Sequence, residues 1–215
     1  MKLLKKLGLD NNSPSETILT TYDSKENPHM AAIGASMKNK NKIELKLFKN
    51  TQTYKNISKQ KSGVINIVSD ASFLIKQGLP EIFTNKENFH NFTKSENVNA
   101  PYLPKASAII EFEVEEMVEK TVTDAIGSSK ISKTTGLVKN IDILNSYPHP
   151  FKRAELYLIE TAVLATKAIE TKKRDKKALS EKFIAEIKFL QEKCEKIAPN
   201  SKELENITKI VKYFE

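Results

Sequence analysis

The sequence predicts an α+β protein, a mainly β region over residues 1–149 followed by a helical region over 150–215, and three observations carry that prediction. Short apolar runs of strand length, bounded by polar turns, fill the first 70 residues. From about residue 151 the apolar side chains recur at helical spacing instead. Between the two lies Pro148-His149-Pro150, whose prolines suit neither a strand interior nor a helix interior and mark the boundary.

The first strands are Glu16–Tyr22, Met30–Met37 and Lys42–Phe48, separated by the turn-forming stretches Ser24-Lys25-Glu26-Asn27-Pro28 and Lys38-Asn39-Lys40-Asn41. In the third, Ile43, Leu45 and Leu47 alternate with polar neighbours and share one face, the pattern of a half-buried antiparallel strand. After Phe48 the period changes. Thr51–Gln60 is polar with Tyr54 and Ile57 at i and i+3, which predicts a short helix. Val64–Val68 is the next strand, and Ser69 and Asp70 are caps for a helix through Ala71–Lys76.

Residues 80–104 are rich in Asn, Pro and Lys and predict a long loop with one helical turn around Lys86–Phe92. Ala106–Thr123 reads as a strand, Ile110, Phe112 and Val114 alternating with acids, and a returning strand is expected over Thr135–Leu144. Glu111, Glu113, Glu115 and Glu116 read as a solvated strand face, since acid–base carboxylates need partial burial to shift their pKa. Beyond the boundary, Ala154–Ile169 places Leu156, Ile159, Val163 and Leu164 on one stripe. Phe183, Ile187 and Leu190 mark a second helix, and Leu204, Ile207, Ile210 and Val211 a third.

Composition narrows the function classes. The 215 residues, 39% hydrophobic and 29% charged, suit a soluble globule, and no apolar run approaches the roughly 20 residues of a membrane helix. A single cysteine, Cys194, makes no internal disulfide and accords with a reducing cytoplasm. The net charge of +8 is shared equally by the two sides of residue 151, and only Arg153 and Arg174 among 35 basic residues are arginine. Arginine is the side chain that reads bases and clamps phosphates bidentately, so nucleic acid is not the expected ligand. The run Lys172-Lys173-Arg174-Asp175-Lys176-Lys177 falls between two helices, where cations stabilise a helix C-terminus.

Several chemistries are missing from the chain. Neither glycine-rich phosphate motif is present, nor is the serine nucleophile elbow. His29, His90 and His149 stand far apart without cysteines or paired carboxylates at ligand spacing, so no metal site is expected. Cys194 lacks a nearby histidine and reads as a half-buried small hydrophobe. No residue has a catalytic acid–base pattern.

Two stretches point to a ligand. Lys49-Asn50-Thr51-Gln52-Thr53-Tyr54-Lys55-Asn56 combines a cation, hydroxyls at Thr51 and Thr53, the Asn56 amide and the N–H groups of a helix start, a donor set suited to phosphate. Taken alone it reads as a capped helix without a ligand. Met30-Ala31-Ala32-Ile33-Gly34-Ala35-Ser36 is a strand of small side chains, a sign of close approach either by a flat ligand or by another packed backbone.

The order Glu16-Thr17-Ile18-Leu19-Thr20-Thr21-Tyr22, Ala31-Ala32-Ile33-Gly34, Thr51-Gln52-Thr53-Tyr54-Lys55-Asn56-Ile57 and Val64-Ile65-Asn66-Ile67 resembles the flavin-reductase-like FMN-binding split-barrel family, in particular its uncharacterised archaeal branch. The resemblance covers about residues 14 to 145, and Arg153 with Glu160–Lys167 is similar to that branch's helical extension. It implies an FMN-binding split β-barrel followed by an α-helical domain. Thr51, Thr53 and Asn56 would face the phosphate with Lys49, Asn50 and Tyr54, Ala31, Ala32, Ile33 and Gly34 would line the ring, and Asn66 would join the cofactor-binding set. Two positions depart from the family: Ala32 stands where relatives often carry proline and Lys167 where they tend to carry arginine.

The resemblance also implies a cytoplasmic FMN-dependent oxidoreductase, a homodimer that exchanges electrons with a small-molecule donor and acceptor through the flavin rather than through a side chain. The alternatives are a non-catalytic flavin carrier or sensor, and a basic interaction protein without flavin.

Overall fold

The computed structural model describes residues 2–11, 13–83, 91–145 and 152–215. The helical turn expected around Lys86–Phe92 falls mostly outside those residues, as does the boundary at Pro148–Pro150. After a short helix α1 (Lys2–Lys6) come β1 (Ser15–Tyr22), β2 (Pro28–Asn39), β3 (Lys42–Phe48), α2 (Gln52–Gln60), β4 (Ser62–Ile67) and α3 (Ala71–Gly78). Two short strands, β5 (Thr93–Lys94) and β6 (Pro101–Tyr102), precede the long hairpin β7 (Ala108–Thr123) and β8 (Ser128–Ile143). Helices α4 (Arg153–Lys173), α5 (Lys177–Ile197) and α6 (Lys202–Tyr213) end the chain. None of the described helices is long and apolar enough to cross a membrane.

Six strands close a barrel in the order β1-β2-β3-β8-β7-β4, every neighbouring pair antiparallel. Its core follows from the alternation in the sequence. Ile43, Leu45 and Leu47 of β3 meet Leu19, Ile65, Ile110 and Phe112 inside, while Leu4 and Leu9 also bury themselves in this cluster. Among the described residues Phe112 is the largest fully buried side chain, and its ring occupies the space in front of Gly63 and Gly136. A Cβ on Gly136 would run into that ring and into Ile43, so this glycine makes room for the barrel's central aromatic.

Where the structure departs from the sequence reading, the cause is tertiary. β8 begins at Ser128, not Thr135; the added residues are polar apart from Ile131 and carry little period-2 signal, yet they form a ladder with β7 and, from Ile131, with β3. Register shifts at Glu111/Phe112 and Val114/Glu116 break the simple alternation of β7. Glu111 nonetheless is no solvated acid, because the excursion around β5 and β6 covers it: it is 2% exposed and takes hydrogen bonds from Ser95 and, at 2.6 Å, from Asn97 Nδ2. The excursion carrying β5 and β6 is further tied to the barrel by Thr20 Oγ1 to the Pro101 carbonyl and Ser62 Oγ to the Asn99 carbonyl.

The chain separates into two compact units. The barrel unit comprises Met1–Ser69, Glu87–Thr123 and Ser128–Tyr147; the helical unit takes Pro148–Glu215 together with Asp70–Lys86 and Asp124–Gly127, so it draws in α3 and the tip of the long hairpin. Asp70 caps α3, accepting from the Phe73 N–H at 3.1 Å. Within the helical unit the buried face of α4 is Ala154, Leu158, Ala162, Leu164, Ala165, Ala168 and Ile169, with Ile159 packed against the core; of the expected stripe, Leu156 departs, being 53% exposed. Alanines let α4 approach its neighbours closely, and a search for bulky residues passes over them. Cys194 is fully buried in this core, not half-buried.

Candidate functional site

β2 pairs with β1 along its whole first part, Pro28 to Ala35, but joins β3 only from Ala35 onward. Among the described residues no strand pairs with the other edge of residues 28–34. Alternate main-chain N–H and C=O groups of an unpartnered strand edge point outward and remain available. Ala31, Ala32, Ile33 and Gly34 all lie in this open stretch and all are half-buried. Gly34 has a protein neighbour as well: a Cβ there would come within 3.1 Å of the Pro14 side chain.

α2 follows directly from the end of β3 and lies against the ends of β1 and β2. Three contacts along one helix face fix it there: Thr53 Oγ1 is 3.1 Å from His29 Nε2, Asn56 Nδ2 donates to Thr21 Oγ1 at 3.0 Å, and Gln60 Nε2 donates to the Asp23 carbonyl at 2.8 Å. His29 and Thr21 stand opposite each other in the β1–β2 ladder and so project from the same face. The first turn of α2 is thus placed beside the open edge of β2.

The two threonines of the turn differ. Thr51 is the N-cap: its hydroxyl donates to the Phe48 carbonyl at 2.7 Å and accepts from the Tyr54 N–H at 3.2 Å. A hydroxyl has one proton, and here it is already engaged, so Thr51 shapes the turn instead of offering a donor. Thr53 is buried, and its hydroxyl meets only His29 among the described residues. The N–H groups of Gln52 and Thr53 have no acceptor among the described residues, leaving two donors at the positive end of a nine-residue helix. Asn56 is buried and accepts from Gln52 Nε2 at 2.7 Å, while Asn50 is exposed.

Lys49 is the nearby cation, and it is engaged. Its ammonium pairs with Glu119 of β7 and lies 5.7 Å from the centre of the Tyr54 ring, while Tyr54 donates its hydroxyl to the same carboxylate at 3.0 Å. The hydrogen bond to Glu119 raises the Lys49 pKa, and the bonds from Lys49 and Tyr54 hold Glu119 below its usual range. Burial pushes His29 below its ordinary 6.5, outweighing the pull of Asp23. Asn66 stands apart from this group. It is fully buried, its amide nitrogen within 2.9 to 3.1 Å of Thr20 Oγ1 and the Ile18 and Val64 carbonyls, its oxygen accepting from the Leu103 N–H at 2.8 Å. These partners make it a brace between β1, β4 and the loop before β7.

His29 and Glu119 belong to the site's surroundings, and nothing in the sequence singles them out as ligand-facing. A lone histidine outside any metal spacing and one acid in an alternating strand carry no local signal.

The model for a protein family of unknown function, the DUF447 N-terminal domain, matches residues 15–135. The chain belongs to the DUF447 family. Over 97% of its length this DUF447 chain is similar to 98% of an FMN-bound protein of the same family model from Methanosarcina mazei, at 22% identity and a TM-score of 0.69. Two more distant structures are a flavoredoxin from Desulfovibrio vulgaris (20% identity, 62% of this chain and 71% of that one, TM-score 0.46) and nitrilotriacetate monooxygenase component B from Mycobacterium thermoresistibile (15%, 63% and 72%, TM-score 0.49). No curated protein matches the DUF447 chain. The likeness to the Methanosarcina mazei protein establishes the fold, a split barrel with a helical region.

Proposed function

We propose that this chain binds FMN, with the isoalloxazine ring along the open edge of β2 and the phosphate at the start of α2, and that it acts as a flavin-dependent oxidoreductase of the flavin-reductase kind. The observation that carries the reading is the adjacency of an unpartnered, small-residue strand edge and a helix start with two unengaged N–H groups, joined by the His29–Thr53 contact. A strand edge suits the polar rim of a flat heterocycle, and a helix N-terminus suits a dianion. The FMN-bound relative of the same fold supports it.

The donor set fits the group. Gln52 N–H, Thr53 N–H and the Thr53 hydroxyl would hold the phosphate, and Lys49 would add its charge on leaving Glu119. Asn56 would hold α2 in place through Thr21. Bound flavin supplies hydride or single-electron transfer, while the chain's own residues bind, orient and shield it. The rest of the proposal is a homodimer, in the cytoplasm, served by a small-molecule electron donor and acceptor.

The absorption spectrum of the purified protein tests the reading: a flavin spectrum, or a flavin spectrum recovered on adding FMN, is expected. A colourless protein that takes up no added FMN would defeat it. Turnover with NADH or NADPH and an external acceptor separates a reductase from a flavin carrier, for which binding without turnover is expected.

A further inference from the structure

His29 is the one titratable group among the described residues joined directly to the Thr53 hydroxyl, and the flavin reading leaves its ionisation without a role. Its Nε2 meets Thr53 Oγ1 at 3.1 Å. From β1 it is faced by Thr21 and from α2 by Thr53, both neutral, and the charge acting on it is that of Asp23 in the β1–β2 turn. That carboxylate is itself held by the N–H groups of Lys25 and Asn27 and by the Asn27 amide. Burial favours the neutral imidazole when nothing is bound.

A neutral imidazole carries one N–H. With that proton on Nε2 it donates to Thr53 Oγ1, which leaves the threonine's own O–H free to donate elsewhere. A dianion received by the Gln52 and Thr53 N–H groups faces the ring across Thr53, and an opposite charge at short range favours protonation of an imidazole. The added proton comes from solvent and settles on the ring nitrogen that lacks one. Nε2–H still donates to Thr53, so the geometry is kept while the local charge rises by one.

We propose that His29 is a positioning residue that takes up a proton when an anionic group binds at the start of α2, so that FMN is distinguished from riboflavin more strongly as pH falls. The proposal rests on the flavin reading. Linkage sets its sign: a group that binds a proton more tightly in the complex makes binding stronger as pH drops through its titration. The phosphate of free FMN also titrates, with a second pKa of about 6, and that contribution is common to every variant of the protein.

Fluorescence titrations with FMN and with riboflavin, from about pH 5.5 to 8, compare the wild type with His29→Gln, whose amide keeps a donor near the Nε2 position and does not titrate. The FMN-to-riboflavin affinity ratio should rise with falling pH about ten-fold more in the wild type than in the variant. Calorimetry of FMN binding in buffers of different ionisation enthalpy should show net proton uptake by the wild type that exceeds that of His29→Gln. Parallel ratio profiles, or proton uptake no greater in the wild type than in the variant, overturn the proposal while leaving FMN binding intact. The same pH response with riboflavin overturns it too, because no phosphate is then involved. Failure to bind either flavin at any pH would remove the flavin reading itself, and the proposal with it.

Discussion

Thr51 and Thr53 sit on one turn, yet the contacts around them assign different losses on mutation. Thr51→Ala removes the N-cap and should lower stability by about 1 kcal/mol in urea unfolding, with FMN and riboflavin affected alike. Thr53→Val keeps the buried volume and removes the hydroxyl, so FMN affinity should fall about ten-fold while riboflavin barely changes. Glu119 competes for Lys49, and Glu119→Gln should tighten FMN binding by about two- to five-fold in low salt, an advantage that fades as salt is added. Asn66 is enclosed by its partners, and Asn66→Ala should cost about 1–3 kcal/mol of thermal stability by stranding the Leu103 N–H. His29 adds a pH dependence to the empty protein. Its folded pKa lies below 6.5, so the unfolded chain binds more protons in that window and stability falls as pH drops through it; His29→Gln should flatten the fall.

Among the elements, β1, β3, α2 and β4 were legible because each has a clear local period and a turn or cap at its ends. β8 was legible only in part. Its first residues, Ser128 to Thr134, owe their strand conformation to two ladders formed with distant partners, and polar side chains there leave little trace in the pattern. The buried face of α4 was legible only in part for a related reason: Leu164 and Ile159 pack as expected, but most of the face is alanine and the conspicuous Leu156 faces solvent. Gly136 ties an element to the core. Its missing side chain accommodates Phe112, so Gly136→Ala should destabilise the barrel by about 1–3 kcal/mol in denaturant unfolding, with the ring forced off its rotamer.

For the whole molecule, a barrel unit and a helical unit with separate cores account for the change of sequence character near residue 150. The division is interleaved, since α3 and the β7–β8 tip count with the helices. Period analysis along a chain finds a switch point but not a segment that leaves its neighbours and returns. The sequence by itself determined the order of strands and helices from residue 16 to residue 70 (though not α1 before them), the helical tail and the polar turn at α2, because local period, turn chemistry and capping depend on neighbours a few residues apart. Closure of the barrel, the unpartnered edge of β2, the commitment of Lys49 to an acid 70 residues away and the seating of Thr53 against His29 were decided in the folded chain. Each joins residues that the sequence keeps apart, and only strand register and packing bring them within hydrogen-bonding range.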